Sequence, residues 1–183
     1  MSVVQPRRWT RQEYDKMIDV GILGPEDRVE LIEGEIVEMS PQKPPHSVCV
    51  QLAEEALRAV FAAGFDVRAQ LPLAFDDSEP EPDLAVVPGS IRDYLAEHPS
   101  TAVLVVEVAD STLDFDRRRK GRMYARAGIP EYWLVNLVDR VIEVYREPRP
   151  EGSYTFVQRL GENDTITALA APNAKIAVSA LLP

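Results

Sequence analysis

The chain has 183 residues and a formal net charge of −10, enough for one sizeable core and too few for two comfortable ones. Hydrophobic residues at 45% and charged residues at 27% give an ordinary globular balance, and no apolar run approaches the roughly 18 residues that a membrane span needs. The acidic total excludes a protein that holds nucleic acid by bulk charge alone, so function has to come from local chemistry. The opening residues 1–8 lack the apolar stretch of a secretory signal. A single cysteine, Cys49, excludes an intrachain disulfide framework. A reducing cytoplasm is the expected home, and Cys49 reads as buried filler in a helical pattern.

In chain order, Thr10-Arg11-Gln12-Glu13 is a capping box that opens a helix with Tyr14, Met17 and Ile18 on one stripe. Arg28–Ile32 and Glu35–Met39 read as a hairpin around Glu33-Gly34. Ser40 to Pro45 carries three prolines and is expected to be irregular. A helix follows from His46 or Ser47 to Phe61. Phe65 to Phe75 is strand-like, Leu84–Val87 is a short apolar strand, and Ser90 caps a short helix to Glu97.

Ala102 to Val108 is the most apolar run and reads as a central strand buried on both faces. A helix is expected from Thr112 or Asp114 to Gly128. A second hairpin (Tyr132–Leu137 and Val141–Arg146), a strand from Tyr154 to Leu160 and a short irregular end complete the chain. No repeat or low-complexity tract is present. The order predicts one α/β domain over residues 1–183, a mixed β-sheet flanked by helices.

Two acids stand out. Asp83 follows Glu79-Pro80-Glu81-Pro82 and enters an apolar strand, and Glu107 is the single charge within Val103–Ala109. A buried ionised carboxylate costs several kcal/mol unless something pairs with it. An arginine partner is the structural explanation. The functional one is that two carboxylates from adjacent strands share a hard cation such as magnesium, which polarises a phosphoryl oxygen and acidifies water.

The hairpin Val29–Pro41, His46 at the head of the second helix, Glu81–Val87, Leu104–Val108, Asp116–Lys120 and Tyr124–Val135 occur in this order. Together they resemble the Uma-type restriction-endonuclease family, a branch of the PD-(D/E)xK nuclease superfamily. The resemblance runs over about residues 14–145. It implies a restriction-endonuclease-like core and a divalent-metal-dependent endodeoxyribonuclease that hydrolyses DNA phosphodiester bonds.

Magnesium or manganese would be held by Asp83, Glu107 and the main-chain carbonyl of Val108. The superfamily lysine, two residues after the second acid, is here Ala109. Lys120 on the next helix matches the Uma-type position and is the expected replacement. A solvent-exposed Asp116–Lys120 ion pair is its structural explanation. His46 is expected near the metal, and the first hairpin is expected to add an acid, with Glu33 preferred over Glu30 and Glu35. The arginine-rich stretch Arg117, Arg118, Arg119, Arg122 and Arg126 offers phosphate contacts or a solvated helix face.

DNA is the expected partner and a homodimer is compatible with the sequence. A non-catalytic interaction module on the same fold is the alternative, favoured by Ala109 and the net charge. A phosphatase acting on small phosphate esters is a third reading.

Overall fold

The computed structural model of the chain describes residues 5–183. Residues 1–4, part of the opening stretch read for a secretory signal, lie outside the described residues. Helix α1 (Arg11–Asp19) starts at Thr10, whose side chain accepts from the Glu13 N–H while the Glu13 carboxylate accepts from the Thr10 N–H. Strands β1 (Val29–Ile32) and β2 (Glu35–Glu38) form an antiparallel hairpin separate from the main sheet. Its two turn residues, Glu33 and Gly34, have φ of 48° and 75°, the primed geometry that matches strand twist. A Cβ at Gly34 would lie 2.8 Å from Arg8 Cβ and 3.0 Å from the Trp9 carbonyl, so glycine also admits the N-terminal segment there.

Helix α2 (Pro44–Val60) begins earlier than the proline content predicts, with proline at its first positions. The first-turn N–H groups of a helix have no helical acceptor, so proline forfeits nothing there. His46, expected at the head of this helix, therefore lies two residues inside it, within the first turn. Strand β3 (Phe65–Ala69) is shorter than expected, because Gln70 turns into the left-handed region at φ 52°. After β4 (Leu84–Pro88), Ser90 and Asp93 do form a capping box, but the helix is a single 3-10 turn over Ile91–Tyr94. Ile91 and Leu95 stay exposed, and a short helix without an apolar face to bury does not propagate.

Strand β5 (Leu104–Ala109) is buried along its whole length. The helix expected to run unbroken to Gly128 is divided into α3 (Leu113–Phe115), a π-helical turn over Asp116–Lys120, and α4 (Gly121–Arg126). Strands β6 (Glu131–Asn136), β7 (Val141–Arg149) and β8 (Ser153–Gly161) follow as a meander. The end, read as irregular, contains a small antiparallel pair, β9 (Thr165–Ile166) and β10 (Ile176–Ala177).

The main sheet has the order β3-β4-β5-β6-β7-β8, parallel only between β5 and β6. It is the mixed α/β sheet that the element order predicts. Cys49, Val50, Ala53 and Leu57 of α2 cover one face against Leu84, Val86, Leu104, Val106 and Trp133. Met123 and Tyr124 of α4, with Ile129, cover the other against Ala85, Val105, Ala109, Tyr132 and Leu134. Cys49 is fully buried and its Sγ donates to the Leu181 carbonyl. Burial pushes its thiol up to about 12, so it stays an unreactive packing group. No helix among the described residues is long and apolar enough to cross a membrane.

Candidate active site

The antiparallel register of β4 and β5 pairs Leu84 with Val106, which sets Asp83 opposite Glu107 just beyond the end of β4. Alternation puts both carboxylates on the face shared by Ala85, Val105 and Ala109, below α4. Asp83 Oδ2 accepts from the Val108 N–H at 2.8 Å, and the Asp83 N–H donates to Glu107 Oε2 at 3.3 Å. The two acids are thus tied to each other's strand and are 7% and 4% exposed. His46 Nε2 lies 3.2 Å from Asp83 Oδ2, and Gln70 Nε2 lies 3.4 Å from Asp83 Oδ1.

Lys120 Nζ lies 3.0 Å from Glu107 Oε1 and 3.1 Å from Glu30 Oε1. The Tyr124 hydroxyl donates to the same Glu107 oxygen at 2.6 Å. Thr112 donates to Asp116 at 2.5 Å. The π turn has a direct consequence for this geometry. It inserts one residue into the helical repeat, and both Lys120 at its end and Tyr124 one turn further on reach Glu107. The surface ion pair of Lys120 with Asp116 is not what forms; the ammonium is buried between Glu107 and Glu30 instead.

The electrostatics follow from burial. Desolvation holds the Glu107 carboxyl well above the usual range, with Lys120 pulling it back and Asp83, Asp116 and Glu30 adding to the rise. Asp116 is raised for the same first reason. Burial would lower Lys120, but Glu107, Glu30 and Asp116 outweigh it and keep the ammonium protonated. Burial likewise opposes the charging of His46, and contact with the Asp83 carboxylate raises it nonetheless. The group therefore carries more anionic than cationic side chains at one place.

Glu30, His46, Asp83, Glu107, Asp116 and Lys120 line a cavity of about 320 Å³ between the segment from Val37 to Lys43 and the segment from Ser111 to Asp116. Among the described residues no set of three or more His, Cys, Asp or Glu side chains is arranged to hold a metal ion. A cation here would rest on two carboxylates completed by main-chain oxygen and water, which is the usual magnesium arrangement. The donors fit that use. Glu107 Oε2 and Asp83 Oδ1 have only the long contacts at 3.3 and 3.4 Å, which leaves lone pairs on both. The Val108 N–H and C=O share one strand edge, the edge that meets Asp83.

Of the residues singled out by sequence, Asp83, Glu107, Val108, Lys120 and His46 come together. Glu33 does not, and the preference for it is corrected. Sitting in the hairpin turn and not in a strand, it points the other way and accepts from Arg122 at 2.7 Å and Arg126 at 3.0 Å. Glu30 joins the group in its place. Its signal was available, since Glu30 is a lone charge inside the apolar run Val29–Ile32, the pattern that marks Glu107.

The arginine-rich stretch does not face the cavity. Arg117 is bidentate to Glu143 at 2.6 and 2.9 Å, Arg118 is 3.4 Å from Asp114, and Arg119 pairs with Glu35. Trp133 is core, its indole N–H bound to Glu131 at 2.9 Å.

With the geometry known, comparison with other proteins places the chain. No curated protein matches it. Among solved structures it is similar to the crystal structure of a "putative nuclease" from Anabaena variabilis, with a TM-score of 0.77, 16% identity, and coverage of 94% of this chain and 96% of that one. At that identity the likeness speaks for the fold. The sequence itself matches a family described as "Putative restriction endonuclease" over residues 11–179. A match over nearly the whole chain decides the matter: the protein belongs to this family, Uma2.

Proposed function

We propose that the protein is a divalent-metal-dependent nuclease that hydrolyses DNA phosphodiester bonds at the Asp83–Glu107 pair. The observation that carries this reading is the convergence of two buried carboxylates from adjacent strands with one buried ammonium at the floor of a cavity. Asp83, Glu107 and the Val108 carbonyl would hold magnesium or manganese. When bound, such an ion supplies Lewis-acid polarisation of the phosphoryl group and makes water more acidic.

The remaining work falls to side chains of this chain. Lys120, held against Glu107 and Glu30, would put a permanent positive charge beside the reacting phosphate and stabilise the extra negative charge of in-line attack. It thereby fills the role that Ala109 leaves empty, and its flexible stem suits a position on a neighbouring helix. Glu30 and Tyr124 position the lysine and Glu107. His46 orients Asp83 from the first turn of α2.

The test is hydrolysis of single-stranded, plasmid and linear DNA with and without manganese, beside a chromogenic phosphate ester. The reading expects metal-dependent DNA cleavage and little turnover of the ester; the reverse pattern would make the protein a phosphatase. Lys120→Ala should reduce cleavage by about a hundredfold or more while leaving manganese binding intact. Ala109→Lys in that background should restore part of the loss. The observation favouring a non-catalytic interaction module is the internal pairing of the arginine-rich stretch. That reading expects no cleavage under any metal.

A further inference from the structure

Resting on the nuclease reading, the charge around the cavity says what form of polynucleotide it can take. Seven Asp and Glu side chains line it, against three cations, Arg28, Lys43 and Lys120. Lys120 is committed to Glu107 and Glu30, and Lys43 lies 3.3 Å from Asp110. Among the described residues Arg28 makes no ion pair. It is exposed at the start of the hairpin, where its carbonyl accepts from the Met39 N–H at 2.8 Å.

A protein that grips duplex DNA by its backbone does so by neutralising phosphates with Lys and Arg, and about 6–10 such contacts make a strongly salt-dependent complex. The natural source of those cations here, the arginine-rich stretch, is bound to Glu33, Glu35, Asp114 and Glu143. What remains beside the carboxylates is one guanidinium.

Shape points the same way. The cavity, about 320 Å³, is at the small end of the roughly 300–1,000 Å³ of small-ligand sites. It is a bay for one nucleotide and not a groove that tracks a duplex. Its floor carries Asp83 and Glu107, and its lining includes the partly exposed apolar side chains of Met39 and Phe115. Apolar and aromatic side chains receive the face of an unstacked base irrespective of sequence.

We infer that the site takes a single-stranded polynucleotide. One unstacked nucleotide enters the bay with its base against Met39 and Phe115 and its phosphate at the Asp83–Glu107 pair, and a neighbouring phosphate rests on Arg28. Bases in an intact duplex are stacked and paired, so they would first have to be freed at a cost of a few kcal/mol. The acidic rim repels further phosphates, beyond the one at the carboxylate pair with its cation and the one on Arg28.

The experiment is fluorescence anisotropy of the full chain with a fluorescein-labelled single strand of about twelve nucleotides and with the matching duplex. It is run with calcium in place of manganese, so that the strands are held and not cut, at salt from about 50 to 200 mM, the range over which counterion release is resolved. Deoxy and ribo versions of the single strand distinguish the two polymers that share this chemistry, and a preference for either supports the inference.

The single strand should bind at least about tenfold tighter than the duplex, with log K falling against log salt at a slope near −0.7 to −1.4, about one or two phosphates. Arg28→Ala should weaken single-strand binding several-fold and flatten that slope, with Arg28→Lys recovering part of it. Arg28 is exposed, so the variants should melt with the parent. Equal or tighter duplex binding, a slope steeper than about −5, no effect of Arg28→Ala, or no binding of either form would overturn the inference.

The two readings fail separately. Cleavage of duplex without single-strand preference leaves the nuclease reading standing and removes this one. Tight single-strand binding without cleavage does the opposite.

Discussion

Replacing Lys120 by methionine keeps most of the side chain's length and removes the ammonium that stands 3.0 Å from Glu107 and 3.1 Å from Glu30. Both carboxylates are about as buried as the lysine, at 4% exposure against 6%, so neither can turn to water when its partner is lost. Breaking a buried pair in this way costs about 3–5 kcal/mol, against about 0–1 kcal/mol for an exposed one. For a chain of this size that corresponds to a fall in Tm of about 6–20 °C.

Urea denaturation at neutral pH measures it directly, and the double-mutant cycle with Glu30→Gln isolates the pair. Neutralising Glu30 in the Lys120→Met background should return part of the loss, because one stranded charge has gone. A loss below about 1 kcal/mol, or no coupling in the cycle, would refute the buried triad and return Lys120 to an exposed helix face.

Further outcomes follow from other sites. Burial, reinforced by Asp15 and only partly offset by Arg11 at 3.9 Å, raises the Glu79 carboxyl to about 7, and one of its oxygens is buried without a hydrogen-bond partner. Because the folded value lies above the unfolded one, stability should fall as pH rises from about 4.5 through 7. Glu79→Gln should remove that slope and stabilise the protein by about 1–3 kcal/mol at pH 8, read as the urea midpoint at pH 5 and pH 8. Glu143 is the opposite case. Burial alone would raise it, but bonds from Arg117, Tyr145 and Asn136 bring it down to about 2. Its contribution is therefore complete above about 4.5 and is lost as pH falls toward 2, and Arg117→Ala should flatten the acid limb of an unfolding titration. Gly34→Ala forces a Cβ to 2.8 Å from Arg8 Cβ at φ +75°, and calorimetry should show a loss of about 1–3 kcal/mol.

How far the sequence disclosed this molecule depends on the range of each signal. Thr10 with Glu13, the apolar run ending in Glu107, and Glu33-Gly34 between two strands are local patterns, and each marks an element that forms. The shared face of Asp83 and Glu107 follows from strand periodicity once the two strands are taken as neighbours. The misreadings arise where local rules meet longer-range packing. Proline content argues against regular structure at Pro44 and Pro45, yet first-turn positions tolerate it. The π turn at Asp116–Lys120 is one residue inserted into the helical repeat and leaves no mark in a helical pattern. Glu33 lies in the turn at φ 48°, where strand alternation does not hold and its facing cannot be taken from its neighbours in sequence. The arginines looked available because their partners, Glu33, Glu35 and Glu143, lie far away in sequence.

The claim at the centre of this account is that Asp83 and Glu107 hold a divalent cation together. Crystals soaked in manganese and measured at the manganese absorption edge test it without depending on substrate. The account predicts an anomalous peak about 2.0–2.3 Å from an oxygen of each carboxylate, absent in crystals of Asp83→Asn and of Glu107→Gln. No peak in the parent, or a peak that persists in both variants, would contradict it.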